Sequence, residues 1–177
     1  MSSRLFTVFQ NILEIPVISR IRRNHGLEHA TLTILSQKYP GTPMAGHSTP
    51  SGFRLIGEVS AEAVQSAADE GLRRMKAGER QLAVHPNCGT NFVTSGTFAG
   101  LAGAFAMLGA GKRRWDKLER LPLAISLATL ALIISYPFGL LLQEHVTTSG
   151  EPQELEVAEI RTVKRDRVAF HSVITRG

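Results

Sequence analysis

The sequence predicts an α+β fold, in which a small mixed sheet with amphipathic helices is joined to a two-helix transmembrane hairpin. Two long uncharged runs predict the hairpin, because residues 92–110 and 122–142 carry no charged side chain. Apolar side chains at helical spacing in residues 17–38 and 61–77 predict amphipathic helices. Alternating apolar and polar side chains elsewhere predict the strands.

The two uncharged runs are each about twenty residues long, the length that a helix needs to cross the hydrocarbon core of a bilayer. Only a short link separates them, so we expect the two spans to pack as a hairpin. The first run is rich in small residues that let helices approach closely. The predicted regions are a membrane-proximal α+β region (1–91), the transmembrane hairpin (92–143) and a C-terminal β-hairpin region (144–177).

Turn and capping signals order the first region. A helix from about Val17 to Lys38 is stopped by Tyr39-Pro40-Gly41. Residues 44–49 and 53–59 flank a Pro-Ser-Gly turn and predict a β-hairpin. Ser60 can cap the helix that runs to about Ala77, and a short strand is expected over 81–85.

The last region predicts a second β-hairpin. Residues 154–163 and 167–175 alternate in polarity, and the chain is expected to turn at Lys164-Arg165-Asp166. Together with the first hairpin and the short strand over 81–85, these strands would complete one small mixed sheet beside the membrane.

The charge and cysteine content exclude two classes of protein. The net charge is +5, but the basic side chains are dispersed and no basic patch is interleaved with aromatic residues. A nucleic-acid-binding function is therefore not expected, and attraction to anionic lipid headgroups explains the charge better. Cys88 is the single cysteine, so an internal disulfide is excluded.

The string His25-Gly26-Leu27-Glu28-His29 is the first candidate site. Residues three and four apart share one face of a helix, so His25, Glu28 and His29 point the same way. Two imidazoles one turn apart can bind one metal ion, and a carboxylate beside them can activate a bound water. The alternative is a helix-surface cluster in which Glu28 pairs with His25.

A second polar string, His85 to Asn91, immediately precedes the first uncharged run and presents His85 and Cys88 three residues apart. With all of His25, His29, His85 and Cys88 as ligands, a tetrahedral zinc site would be closed and structural, whereas three ligands would leave a position for a catalytic water. Two alternatives remain for Cys88: a thiolate nucleophile beside a base, or a buried side chain that packs as a small hydrophobe.

These two motifs carry a resemblance to known families. The pairing of N-H-G-L-E-H-A with H-P-N-C-G-T-N-F, directly before an apolar run, resembles an uncharacterised bacterial family of small two-span membrane proteins. The motifs are also similar to those of the YqhQ-like family of predicted metal-dependent enzymes, which pairs H-G-x-E-H with H-P-x-C-G-T. This chain departs from that second pattern in a longer spacer (41–57) and in Asn87, where a basic residue is usual.

The resemblance to metal-dependent enzymes implies a shared site but no particular substrate. The residues that it implicates are His25, Glu28, His29, His85 and Cys88. We expect an integral protein of the bacterial cytoplasmic membrane whose zinc site lies at the membrane surface. Its partner would be the lipid bilayer.

If the site is catalytic, the expected reaction is hydrolysis of a peptide-like or lipid-linked substrate, with Zn²⁺ as the cofactor and Glu28 accepting a proton from water. The alternative is a non-catalytic membrane subunit or assembly factor with a membrane-protein partner. In that case the His, Glu and Cys side chains would only lock the helix in place.

Overall fold

The computed structural model describes residues 2–177, with side chains from residue 7 onwards, and this part of the chain contains five α-helices and four β-strands. A 3₁₀ turn (Arg80–Ala83) precedes the fourth helix, and a π-helical turn (Gln143–Thr147) continues the fifth. The elements in chain order are α1 (Ser2–Leu13), α2 (Pro16–Lys38), β1 (Met44–Thr49), β2 (Gly52–Gly57), α3 (Ala61–Lys76), α4 (Gly89–Ala106), α5 (Arg114–Leu142), β3 (Glu156–Arg165) and β4 (Val168–Arg176).

The chain forms two units. The sheet unit comprises the residues up to His85 together with Glu144–Gly177, and the helical-hairpin unit comprises Pro86–Gln143. The first motif and His85 therefore belong to the sheet unit, whereas Cys88 belongs to the helical-hairpin unit.

The sheet is antiparallel throughout, with strand order β1-β2-β4-β3. The prediction of a mixed sheet is wrong, because the expected strand over 81–85 does not form. Residues Arg80–Ala83 make a 3₁₀ turn instead, in which Leu82 and Ala83 are buried in the core. The carbonyl of Ala83 accepts a hydrogen bond from the ring of His29 and not from a neighbouring strand.

The other elements of the sheet unit confirm the sequence predictions within a few residues. α2 ends at Lys38 as expected, and the Ser60 side chain accepts the Ala63 N–H at 3.2 Å to begin α3. Both helices pack on the sheet face to which Phe53 and Leu55 point, while Arg54 between them is exposed. Burial of these apolar side chains supplies most of the stability of the unit.

His171 is a buried titratable group on the inner face of β4. Its Nε2 lies 3.1 Å from the carbonyl oxygen of Val59, and its Nδ1 lies 2.8 Å from the Thr162 hydroxyl. Since the carbonyl can only accept, Nε2 carries the proton of the neutral ring. Burial lowers the pKa of His171 below its ordinary value of 6.5, and the Val59 carbonyl and Glu62 only partly oppose this effect.

We expect the protein to lose stability as the pH falls below about 6.5. In that range the unfolded chain takes up a proton at His171 that the folded chain, with its lowered pKa, does not, so protonation favours unfolding. Thermal unfolding of the metal-free protein between pH 7.5 and 5 measures how the unfolding midpoint changes with pH. His171→Asn should lower the midpoint at pH 7.5 and flatten its dependence on pH, and an equally steep dependence in the variant would contradict the assignment.

In the helical-hairpin unit, α4 and α5 pack side by side in opposite directions. The Ser135 hydroxyl donates to Ser95 Oγ at 2.9 Å, and the side chain of Gln143 donates to Asn91 Oδ1 at 2.7 Å. Gly139 permits this close packing, because a Cβ there would lie 3.1 Å from the Cα of Asn91. Small and polar side chains therefore contribute to the contacts between the helices, together with the aromatic pair Phe98 and Phe138, whose ring centroids are 5.3 Å apart.

The outer surface of the same unit is apolar. Many large side chains of α4 and α5 are more than 60% exposed, among them Val93, Leu101, Phe105, Ile125 and Ile133. Side chains such as Asn91, Ser135 and Gln143 are buried instead. This distribution is the reverse of that in the sheet unit, where the apolar side chains form the core.

The structure corrects the prediction of two membrane spans. Among the described residues, one helix is long and apolar enough to be a candidate span, α5 together with its π-helical continuation, residues 114–147. The expected span over 92–110 does not qualify: α4 ends at Ala106, and its threonines, serines, asparagine and glycines make an uncharged helix that is not strongly apolar. An uncharged run can thus still contain many polar side chains, and the lack of charge alone led to too high an expected hydropathy for this segment.

Candidate metal centre

A buried asparagine immediately before the first motif fixes the orientation of α2. Asn24 Nδ2 donates to the carbonyl of Thr49 at 2.9 Å, and Asn24 Oδ1 accepts a hydrogen bond from the Thr175 hydroxyl at 2.7 Å. Asn24 is fully buried, so losing either partner would leave part of its amide unpaired. These bonds hold α2 against β1 and β4 and thereby set the directions of His25, Glu28 and His29.

Both histidines of α2 are bonded through Nδ1 to a backbone carbonyl. His25 Nδ1 lies 2.9 Å from the carbonyl oxygen of Thr147, and His29 Nδ1 lies 2.7 Å from that of Ala83. Because a carbonyl can only accept, Nδ1 carries the proton in each neutral ring and Nε2 has the lone pair. Metal-ligating histidines typically have this outer-shell partner.

Three predicted ligands lie close together within the sheet unit. The ring centroids of His25 and His29 are 4.4 Å apart, as expected for neighbours one turn apart on a helix. The ring centroid of His85, two residues after the 3₁₀ turn, is 5.7 Å from that of His29. The 3₁₀ turn that replaces the predicted strand therefore supplies the Ala83 carbonyl to His29 and places His85 beside the same ring.

Glu28 is buried, with 4% of its surface exposed, and is held on its β1 side. Its Oε2 accepts a short hydrogen bond from the Ser48 hydroxyl. Gly46 on the same strand makes room for the carboxylate, since a Cβ there would lie 2.7 Å from Glu28 Cδ. A carboxylate fixed in this way is available as a hydrogen-bond acceptor and, in a catalytic site, as a base.

Cys88 is the N-cap of α4 in the helical-hairpin unit and is buried. Its Sγ accepts the Thr90 N–H at 3.4 Å and lies 3.5 Å from the Thr90 hydroxyl oxygen. Possible metal ligands are the ring nitrogens of His25 and His29 in the sheet unit and the Sγ atom of Cys88 in the helical-hairpin unit. Imidazole and thiolate together are ligands that zinc prefers.

Gly26, to which the sequence analysis assigned no role, is a position of close packing beside the two histidines. A Cβ at Gly26 would overlap the carbonyl oxygen of Ser149 and would lie 3.2 Å from Ala83 Cβ. The missing side chain lets the segment after the π-helical turn lie directly on α2, where the Ser149 N–H donates to the carbonyl of Arg22 and Thr147 reaches His25. A glycine inside a helical pattern is the available signal for such a close approach.

Comparison with known proteins identifies relatives of this chain. A family model described as "Domain of unknown function (DUF6391)" matches residues 20–160, a range that contains both motifs. An uncharacterized protein of Picosynechococcus sp. is 37% identical over 151 residues, which cover 80% of this chain and 71% of the relative. No solved structure matches the chain significantly.

Proposed function

The chain belongs to the DUF6391 family, a domain of unknown function, and from its own side chains we propose that it is a membrane-anchored, zinc-dependent hydrolase. In this proposal His25, His29, His85 and Cys88 provide the metal ligands, and Glu28 is the general base. The proposal extends the resemblance of the two motifs to YqhQ-like enzymes. A peptide-like or lipid-linked substrate is proposed only because the site is expected at the membrane surface.

One observation carries the metal site: His25 and His29 both donate Nδ1–H to backbone carbonyls and therefore both have a lone pair on Nε2. In each ring the hydrogen bond to a carbonyl favours the tautomer with the proton on Nδ1. For metal binding this arrangement is favourable, because it fixes each ring and makes its Nε2 more basic. The neighbouring ring of His85 adds a third imidazole from the same unit.

When bound, Zn²⁺ would lower the pKa of a coordinated water and so supply a nucleophile at neutral pH. The protein contributes the base and its position. Glu28 is adjacent in sequence to one histidine and one turn from the other, and its carboxylate is held by Ser48. Glu28 would accept the proton from the attacking water and pass it to the leaving group.

The helical-hairpin unit provides the membrane anchor in this proposal. α5 is the candidate span, and its large apolar side chains are exposed, as lipid contact requires. The hydrogen bond between Ser95 of α4 and Ser135 of α5 is of a kind that supports helix association in a bilayer. The bilayer is then the partner of this unit.

Glu28→Gln separates catalysis from metal binding. We expect the variant to retain about one equivalent of zinc but to hydrolyse substrate about 100-fold more slowly or worse, because the amide cannot accept the proton. The measurement is turnover of chromogenic peptide and acyl-ester substrates in mixed micelles, together with the metal content of each sample. Glu58→Gln, at an exposed glutamate after β2, is the matched control. Full turnover with metal retained in Glu28→Gln would refute the assignment of Glu28.

A second function, a non-catalytic membrane subunit, is favoured by one observation. The Glu28 carboxylate is bonded to Ser48 and packed on Gly46, so it also ties α2 to β1. If that is its whole role, Glu28→Gln should lower the thermal midpoint and the metal content together. The joint loss would mark the site as structural.

A further inference from the structure

Arg22 lies on the same face of α2 as the two histidines. It precedes His25 by three residues and His29 by seven, and these spacings repeat on one side of an α-helix. Its Nη2 donates to the carbonyl of His145 at 3.2 Å, while His25 bonds the carbonyl of Thr147 in the same segment. Arg22 is therefore the cationic neighbour of the candidate metal centre within the sheet unit.

The guanidinium of Arg22 has more donors than partners. A guanidinium carries five N–H groups, and among the described residues the His145 carbonyl is the acceptor that Arg22 reaches. Its Nε is buried and has no hydrogen-bond partner in that part of the chain. Because Arg20 and Arg23 share this buried Nε, it is the place of Arg22 on the histidine face of α2 that suggests a ligand there.

The charge of Arg22 is also poorly balanced. Burial lowers the pKa of Arg22 below its ordinary value, and Glu14 opposes the shift without forming an ion pair with it in the described residues. The side chain nevertheless stays charged at neutral pH. A partly buried cation without a counterion costs free energy, and an anionic ligand would recover it.

We propose that Arg22 binds a phosphate group of the substrate beside the histidine face of α2. A tetrahedral phosphate offers several acceptor oxygens to a guanidinium, whereas one carboxylate offers only two. Phosphate is also the anion of the headgroups at a bilayer surface. The assignment rests on the proposed function for its location, and it narrows the substrate to phosphate-bearing molecules, either lipid headgroups or soluble phosphate esters.

Two other arginines of α2 show why the position matters. The Nε atoms of Arg20 and Arg23 are also buried without a partner in the described residues. Arg20, however, lies on the side of α2 that faces the sheet, where its Nη2 donates to the carbonyl of Thr175 at 2.9 Å. Arg20 is therefore a matched control, since it has the same chemistry and a similar carbonyl partner but lies away from the histidine face.

The test is titration of the full-length, metal-free protein with inorganic phosphate in an uncharged detergent, followed by calorimetry and by the ³¹P line width. We expect saturable binding that weakens at least about tenfold in Arg22→Gln and less than about twofold in Arg20→Gln. Arg22→Lys retains the charge and should lose less than Arg22→Gln, and it decides the outcome if Arg22→Gln does not fold. No saturable binding, or equal losses in Arg20→Gln and Arg22→Gln, would overturn the proposal.

Two further arms identify the phosphate source and separate this inference from the proposed function. Short-chain phosphatidylglycerol is added as a competitor for bound phosphate. If it binds more tightly than inorganic phosphate, the natural ligand is a lipid headgroup, and if it binds more weakly, the ligand is a soluble phosphate ester. Zinc content of Arg22→Gln should equal that of the wild type. If the protein binds phosphate but takes up no zinc, Arg22 is a phosphate-binding residue and the zinc-dependent hydrolase is rejected. If it binds zinc but no phosphate, the phosphate site at Arg22 is rejected and the hydrolase proposal stands.

Discussion

The double variant His25→Ala/His29→Ala is expected to contain almost no transition metal, and the purified wild type is expected to contain about one equivalent per chain. Both rings direct Nδ1–H to backbone carbonyls, so the variant removes two fixed Nε2 ligands at once. Losing two of three or four ligands lowers zinc affinity by orders of magnitude, because the binding free energy is shared among the ligands. Elemental analysis of the detergent-purified protein after zinc loading and desalting measures the change.

His47→Ala is the matched control for that experiment. His47 is an exposed histidine on β1, so its removal should leave both the metal content and the fold intact. Circular dichroism of the double variant shows whether the helices persist. A folded wild-type protein that takes up no metal, or a double variant that keeps it, would leave the two histidines as a hydrogen-bonded lock between α2 and the segments that carry Ala83 and Thr147.

Gly26→Ala is expected to destabilise the sheet unit by about 3 kcal/mol or more, a large part of the stability of a domain of this size. The added Cβ would overlap the Ser149 carbonyl oxygen and press on Met75 Cε at 3.2 Å. The Ser149 carbonyl belongs to backbone, so the whole segment must move away from α2. Its movement withdraws the Thr147 carbonyl from His25, and zinc affinity should fall as well, by about 10-fold or more.

The thermal midpoint and hydrogen exchange of the α2 amides measure the first effect, and a zinc titration measures the second. Gly96→Ala is the control: this glycine lies inside a helix, and a Cβ there would meet no atom within 4 Å. In that position alanine is neutral or stabilising by up to about 1 kcal/mol, because it favours the helix. Equal midpoints for Gly26→Ala and the wild type would show that the segment can yield without cost.

The elements of the sheet unit could be predicted because their signals are local. Tyr39 and Pro40 end α2 by backbone sterics alone, and the Ser60 side chain begins α3 by accepting an N–H within its own first turn. The two β-hairpins could be predicted because apolar and polar side chains alternate on both sides of each turn. Their pairing through β2 and β4 involves residues more than a hundred positions apart, and no local pattern encodes that contact.

The two wrong predictions, a strand over 81–85 and a membrane span over 92–110, also arose because contacts with distant residues do not appear in the local sequence pattern. The segment over 81–85 has the composition of a strand, but burial of Leu82 and Ala83 against α2 and the bond from His29 favour a 3₁₀ turn. The run over 92–110 lacks charge, and the sequence therefore predicts a span there. Its serines, threonines and glycines nevertheless keep its hydropathy low, Ser95 bonds Ser135 of α5, and one candidate span remains among the described residues.

By itself, the sequence determined the chemistry available to this protein: a histidine–glutamate–histidine string at helical spacing and a histidine–cysteine pair before an uncharged run. The spacing of side chains around a helix follows from the helical backbone conformation, so the relation among the two histidines and Glu28 holds in any fold that keeps α2 helical. Only the tertiary structure decided which ring nitrogen carries the proton, where Glu28 is held, and that the Nε of Arg22 is buried without a partner in the described part of the chain. Those properties depend on carbonyl and hydroxyl groups of distant segments, and these groups reach α2 only because the chain packs as it does.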